Sequence, residues 1–267
     1  MLTITDLSMA HGQQTIMAGI NATLAAGQMH VIIGPNGTGK STLLRTLFAD
    51  HAFTAGSVQW HERRLNPGHH RSRELQRWRQ DIAYMPQDTT IDISLSVLEI
   101  VVLGGLDALT LHIDPSILEQ AMACLQAAGI AELAHRDITS LSGGQRQMAL
   151  FAQVLMRNAR MMLLDEPVSA LDLRHQIAML DLVREQTRAR GLVTVIVLHD
   201  LNLACQYADN LLIFADGALK ASGAPGDIVT RDLLAQTYDV ALEILHDRAG
   251  LPMVQPLSRH HPLLMRE

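Results

Sequence analysis

The sequence predicts an α/β fold on a largely parallel sheet, with a helical lobe let into its middle. Three observations predict it. Apolar runs of strand length alternate with helical stretches in both halves of the chain, the pattern of strand–helix–strand units. One such run, Gln28 to Ile33, leads through a glycine-rich octet into a helix. Between Val97 and Asn158 only helical periodicity is present, so this part interrupts the alternation.

Taken in order, Leu2 to Ser8 alternates apolar and polar residues as a half-buried strand does, and Thr15 to Leu24 is similar. Lys40 to Ala49 is helical, Gly56 to Trp60 a strand, and Ile82 to Met85 a short strand. The stretch Arg71 to Arg79 holds Arg71, Arg73, Arg77 and Arg79 and reads as a polar, solvated helix or loop. Val97 to Leu103, Pro115 to Ala128 and Gly143 to Asn158 are the helices of the lobe. Met161 to Leu164 returns to a buried strand, followed by a helix from about Asp172 to Arg190. A strand at Leu192 to Leu198, a helix at Asp200 to Ala208, and strands at Leu211 to Ala215 and Leu219 to Ser222 complete the core. Pro225 to Tyr238 is helical, and the tail beyond it is expected to be irregular.

With 267 residues the chain can bury a substantial core in one large domain or one domain with a lobe. Its formal charge of −6, from 21 basic and 27 acidic residues, argues against a nucleic-acid binder. Aromatics are only 3% against 48% apolar residues overall, so aliphatic side chains and methionine must fill the core. Met148, Met156, Met161 and Met162 lie at core-like positions. The longest apolar stretches, Val193 to Leu198 and Leu211 to Ala215, fall far short of the roughly 20 residues a spanning helix needs. The opening residues lack the positive region and apolar run of a signal peptide. Cys124 and Cys205 read as reduced core residues, and the expected compartment is cytoplasmic. Thirteen histidines include the pairs His69-His70 and His260-His261, but without cysteine or carboxylate at ligand spacing they read as solvated loops.

Gly34-Pro35-Asn36-Gly37-Thr38-Gly39-Lys40-Ser41, followed by Thr42, fits the phosphate-binding pattern G-x-x-x-x-G-K-[ST]. Glycines let the backbone wrap closely, so that amide N–H groups at the start of a helix point at phosphate oxygens. Lys40 then meets the β and γ phosphates, and Ser41 offers a hydroxyl to Mg²⁺. Lysine is otherwise rare, since only Lys40 and Lys220 occur and arginine fills the other basic positions. Met161 to Leu164 ends in Asp165-Glu166, which places two carboxylates at the carboxyl edge of the sheet. Asp165 can hold Mg²⁺ through water and Glu166 can polarise an attacking water, although an isolated Asp-Glu pair also serves as a helix cap.

Leu141-Ser142-Gly143-Gly144-Gln145, together with the phosphate loop and the acidic strand in that order, resembles the signature of ATP-binding cassette (ABC) proteins. The resemblance runs from about Leu2 to Tyr238. It implies a P-loop NTPase (RecA-like) core with an N-terminal antiparallel β-subdomain and an inserted α-helical lobe. Residues 1–86 and 159–238 would form the core and β-subdomain, 87–158 the lobe, and 239–267 a C-terminal extension. It implies ATP and Mg²⁺ as cofactors, with Ser41, Gln87 and Asp165 at the metal. Glu166, His199, Lys40 and Gln87 would serve catalysis, His199 as the switch histidine that holds the γ phosphate and the water. Ser142, Gly143, Gly144, Gln145 and Asp172 would contact ATP bound to the opposite copy, Ser142 and Gly144 at the positive end of a helix. At one position the sequence departs from the family: His11, in Met9-Ala10-His11-Gly12, stands where an aromatic usually stacks on adenine. An exposed turn histidine reads equally well there.

The resemblance further implies a homodimer, because one copy's signature faces away from its own phosphate loop. It implies a separate polytopic permease docked near Gln87 and the lobe, with Thr89 to Leu95 as the favoured contact, and peripheral attachment at the cytoplasmic face of the membrane. His199-Asp200-Leu201-Asn202-Leu203-Ala204, Tyr238-Asp239-Val240 and Leu251-Pro252-Met253-Val254 look like the importer group for iron–siderophore, haem and cobalamin. Such importers also use a substrate-binding protein. ATPases for molybdate, zinc or manganese and a soluble ABC ATPase of iron–sulfur assembly remain alternatives. A metabolic P-loop kinase is disfavoured by the signature.

Overall fold

A computed structural model describes residues 1–68, 72–88, 93–106 and 114–258. Strand β3 (Gln28–Ile33) sits at the centre, after the long antiparallel pair β1 (Leu2–His11) and β2 (Gln14–Leu24). Helix α1 (Lys40–Leu47), strands β4 (Ala55–Trp60) and β5 (Arg63–Leu65), helix α2 (Ser72–Gln80) and strand β6 (Ile82–Met85) follow. The lobe holds α3 (Val97–Gly104), α4 (Pro115–Ala127) and α5 (Gly143–Met156), with short 3₁₀ turns at Ala131–Leu133 and Ile138–Ser140. The chain returns through β7 (Met161–Asp165), α6 (Leu173–Arg190), β8 (Val193–Val197), α7 (Leu201–Tyr207), β9 (Asn210–Ala215) and β10 (Ala218–Gly223). It continues with α8 (Pro225–Ile228), α9 (Arg231–Tyr238) and a hairpin of β11 (Leu242–His246) and β12 (Pro252–Pro256).

The main sheet has the order β10-β9-β3-β8-β7-β6, parallel except for β10. Its strands read as continuous apolar runs because both faces are covered. On β3, Met29, Val31 and Ile33 join the core shared with the lobe and α6, while Ile32 points into the core under β1 and β2. On β7, Met162 and Leu164 take the first face, Met161 and Leu163 the second. The second sheet, β2-β1-β4-β5, is wholly antiparallel. The expected α/β core, antiparallel β-subdomain and helical insertion are therefore all present.

Within the lobe, Ser96 caps α3 and Ser142 caps α5, each in a reciprocal capping box that satisfies two helix-end N–H groups. Helices α3 and α5 approach so closely that a methyl group on Gly104 would lie 2.2 Å from the Gln153 carbonyl oxygen. Cys124 and Cys205 are free thiols within the packed lobe and core, and burial pushes the Cys205 thiol up to about 11.

Three expectations need correction. Residues 242–256 form a two-stranded hairpin, not an irregular tail, and it is held by the side chain of Asn202. That amide donates to the Val254 carbonyl at 3.3 Å and accepts from the Val254 N–H at 2.7 Å. The arginine-rich stretch is a helix with a dry side: Trp78 is 1% exposed and donates to the Leu47 carbonyl, and Arg79 donates to the carbonyls of Phe48 and Ala49. Strand β5 extends the antiparallel sheet where only one strand was expected. Arg71, His69-His70, His260-His261 and residues 89–92 of the favoured permease contact lie outside the described residues.

Gly104→Ala should cost about 1–3 kcal/mol of stability in urea unfolding, the usual range for overpacking. An unchanged midpoint would show that α3 can slide away from α5 freely.

Candidate functional site

The three strands β3, β7 and β8 end level with one another. Ile32 and Asp165 both pair with Val197, so the loops after the strands leave the sheet at one edge. From β3 the chain enters the phosphate-loop octet through glycines in conformations other residues rarely adopt. Gly34 has φ +152°, and a Cβ there would meet the Phe214 carbonyl oxygen at 2.2 Å. Gly39 caps α1 at φ +89° and lies against Ile16 and Met17 of β2. Thr38 Oγ1 closes the loop by donating to the Pro35 carbonyl at 2.9 Å.

Lys40 is 5% exposed, and its Nζ donates to the carbonyls of Gly34 and Pro35 at 2.8 Å each. Desolvation lowers its pKa, while the nearby Glu166 and Asp165 charges act against that shift. Ser41 Oγ donates to Asp165 Oδ1 at 3.1 Å. Asp165 is 2% exposed, and burial raises its pKa above the ordinary carboxylate range despite the Ser41 bond.

Glu166 follows with φ +52°, a left-handed backbone that costs a residue with a Cβ about 1–3 kcal/mol. Its carboxylate has two partners: Gln87 Nε2 donates to Oε2 at 2.9 Å, and His199 Nε2 lies 2.5 Å from Oε1. The groups that the sequence placed in β6–α3, β7–α6 and β8–α7 connections thus converge on one carboxylate. A cavity of about 600 Å³ opens over them, lined by Asn36, Gly37, Gly39, Lys40, Ser41, Thr42, Gln87, Glu166 and His199. Gln14, Thr15 and Ile16 of β2 close its other side. His11 does not line it; it pairs with Gln14 at the turn end of the β1–β2 hairpin and is exposed. Sequence reading missed the three β2 residues, whose strand position put no chemical type on show.

The signature residues occupy a second cavity, of about 570 Å³, which shares no lining residue with the first. Ser142 is the N-cap of α5, its Oγ accepting from the Gln145 N–H at 3.3 Å and its own N–H donating to Gln145 Oε1 at 3.2 Å. Gly143 and Gly144 form the first turn, where a methyl on Gly144 would sit 3.2 Å from the Ala170 carbonyl oxygen. Asp172, also in this cavity, caps α6: its Oδ1 accepts from the His175 N–H at 3.0 Å and pairs with His175 Nδ1 at 2.7 Å. Those bonds, led by the backbone one, hold its pKa below the ordinary range. His175 is a member of this cavity that sequence reading passed over.

The profile of the ABC transporter family matches residues 17–169, spanning the phosphate loop, the signature and the acidic strand. The chain belongs to the ABC transporter family. It is an ATP-binding, ATP-hydrolysing subunit of that family, whose ATPase subunits dimerise and work with a membrane permease. It is 38% identical over 251 residues to the hemin import ATP-binding protein HmuV of Rhodopseudomonas palustris, covering 91% of this chain and 89% of that protein. It is likewise 38% identical over 263 residues to the ferric enterobactin transport ATP-binding protein FepC of Escherichia coli, covering 96% and 94%. Among solved structures, a chain of an inward-facing ABC transporter described as metal-chelate type superposes with a TM-score of 0.81 at 26% identity, covering 97% of this chain and 98% of that one. Among the described residues no helix is long and apolar enough to cross a membrane.

Asp165 is a buried acid whose folded pKa is raised, so its ionised form weakens the fold at neutral pH and the penalty fades as pH falls through that pKa. Asp165→Asn should therefore raise the thermal midpoint at neutral pH. A drop in midpoint would show that the carboxylate is net stabilising.

Proposed function

We propose that this subunit hydrolyses ATP at the cavity over Lys40 and Glu166 to drive a permease that imports a metal chelate of the iron–siderophore, haem or cobalamin kind. The observation that carries the hydrolytic part is the Glu166 carboxylate, bonded by Gln87 and His199 at the mouth of the phosphate loop. In this reading residues 34–42 cradle the triphosphate, and Lys40 exchanges the Gly34 and Pro35 carbonyls for β and γ phosphate oxygens. Glu166 orients the attacking water, and His199 holds the γ phosphate and that water in line. The base would extend past Gln14 toward the exposed His11, which lies outside the cavity lining.

The donor set suits Mg²⁺. Ser41 Oγ and Asp165 Oδ1 are hard oxygen ligands already in contact, and Gln87 offers a third oxygen. No cluster of three or more His, Cys, Asp or Glu occurs among the described residues, which fits an ion held chiefly by substrate phosphates and water. Bound there, Mg²⁺ would neutralise charge developing on the phosphate oxygens.

Two copies would close head to tail, each phosphate loop facing the partner's Ser142, Gly143, Gly144, Gln145 and Asp172. Supporting this, the signature cavity carries the N-terminus of a 14-residue helix and stands apart from the chain's own phosphate loop. A two-fold pair makes both sites complete at once. The permease would dock near Gln87 and the lobe, and in the segment that follows Gln87 the residues Ile93 and Leu103 are 62% and 38% exposed. In this reading the ATPase domain spans residues 1–238, with 87–158 as its lobe and 239–267 as an extension. The subunit would then sit peripherally on the cytoplasmic face, its substrate-binding protein acting only through the permease.

The chelate assignment rests on the hemin and enterobactin relatives. Co-reconstitution with the cognate permease and binding protein, scanning haem, ferric siderophores, cobalamin and molybdate, tests it. Uptake of molybdate alone would overturn it. Glu166→Gln should lower kcat by about 10²–10⁴-fold while ATP binding persists. Near-normal phosphate release in that variant would remove Glu166 from its role.

A further inference from the structure

Gln147 is a polar side chain in a position built for apolar ones. It lies on α5 just beyond the capping box and is 4% exposed, beside Met148, Ala149 and Phe151 of the core. A buried amide is tolerated only when its hydrogen-bonding groups find partners. Both ends of this one are used, and both on the same loop. Nε2 donates to the backbone carbonyl of Glu166 at 3.2 Å, and Oε1 accepts from the backbone N–H of Ala170 at 3.2 Å. Methionine would fill the same length of core. The amide is needed for those two backbone groups.

The loop it grips runs from the carboxylate site to the signature cavity. At one end Glu166 holds a left-handed backbone, which a residue with a Cβ keeps only under constraint. Its φ and ψ decide where the carboxylate points, and its carbonyl is the group Gln147 fixes. At the other end Ala170 and Leu171 lie against Gly144. Gln176 of α6 grips the loop too, donating to the Val168 and Leu171 carbonyls at 3.2 and 3.0 Å, but it does not reach Glu166. Of the two glutamines only Gln147 does so, sharing the Glu166 carbonyl with the Ser169 N–H of the loop itself at 3.3 Å.

We propose that Gln147 is a positioning residue through which the signature helix aims the Glu166 carboxylate. Resting on the reading of Glu166 as the group that orients water, this makes hydrolysis depend on where the lobe holds α5. A shift of the lobe, on engagement of a partner's nucleotide or of the permease, drags the Glu166 carbonyl with it. The same amide carries the Ala170 N–H, so the loop between the two cavities moves as one piece.

The test measures kcat and ATP affinity on the full chain for Gln147→Met, alone and combined with Glu166→Gln. Gln147→Met should lower kcat at least about 10-fold with ATP Kd held within about 3-fold, and add no further loss on top of Glu166→Gln. Wild-type kcat overturns the proposal. So does a loss that falls as heavily on binding as on turnover, or one that adds in full to Glu166→Gln. If Gln147→Met does not fold, Gln147→Glu decides by the same measures, because its carboxylate keeps the bond from Ala170. A Glu166→Gln variant that hydrolyses normally sinks the reading of Glu166. An inactive Glu166→Gln beside an unimpaired Gln147→Met sinks only the role of Gln147.

Discussion

Three buried parallel strands of matched register set the terms for the rest of the molecule. Because Ile32 and Asp165 both pair with Val197, whatever follows β3, β7 and β8 is delivered to one edge of one sheet. A slip of one residue in any of them would turn its apolar side chains to the wrong face and displace its terminal group by a full strand step. The two apolar cores that sandwich the sheet oppose that slip, since Met161 and Leu163 are committed to one and Met162 and Leu164 to the other. Packing energy spread over dozens of side chains thus becomes positional accuracy for a few polar ones.

That accuracy has a cost at the edge itself. Asp165 is held in a place that disfavours its charge, and Glu166 in a backbone conformation that disfavours its side chain. Both are tolerated because neighbours over-determine them: Ser41 bonds the first, and Gln87, His199 and Gln147 the second. Functional sites commonly concentrate such local penalties and rely on a well-packed surround to absorb them. The signature side contains no comparable strain. Its helix end is capped reciprocally by Ser142 and Gln145.

Much of this was legible in the residues. The phosphate-loop octet and the Asp165-Glu166 strand end are contiguous stretches that local chemistry identifies, and the signature pentapeptide is identified by its resemblance to the ABC signature. What stayed hidden depends on contacts between distant segments. The hairpin at Leu242 to Pro256 was masked because its strands are short and Pro252 and Pro256 bound the second, a residue type that weakens any strand reading. Trp78 lies among arginines, and its burial follows from distant partners: the Leu47 carbonyl, 31 positions away, and the Trp60 ring at 5.8 Å. Gln14, Thr15 and Ile16 carry no chemical flag; they reach the cavity because the β1–β2 ribbon bends over Gly39. Gln147 did leave a trace, a lone amide between Gly144 and Phe151 on a helix face otherwise apolar. The groups it serves are on a loop 19 and 23 positions downstream.

Lys40 shows what folding alone does to the lysine of the phosphate loop. With its ammonium stripped of solvent and tethered to the Gly34 and Pro35 carbonyls, the dehydration and rotamer-freezing that an exposed lysine undergoes on meeting a phosphate belong to the folding reaction instead. In the proposed reading an incoming phosphate would swap one set of oxygens for another. Recognition would then begin from a pre-organised cation, its entropy of assembly paid once per chain rather than once per turnover.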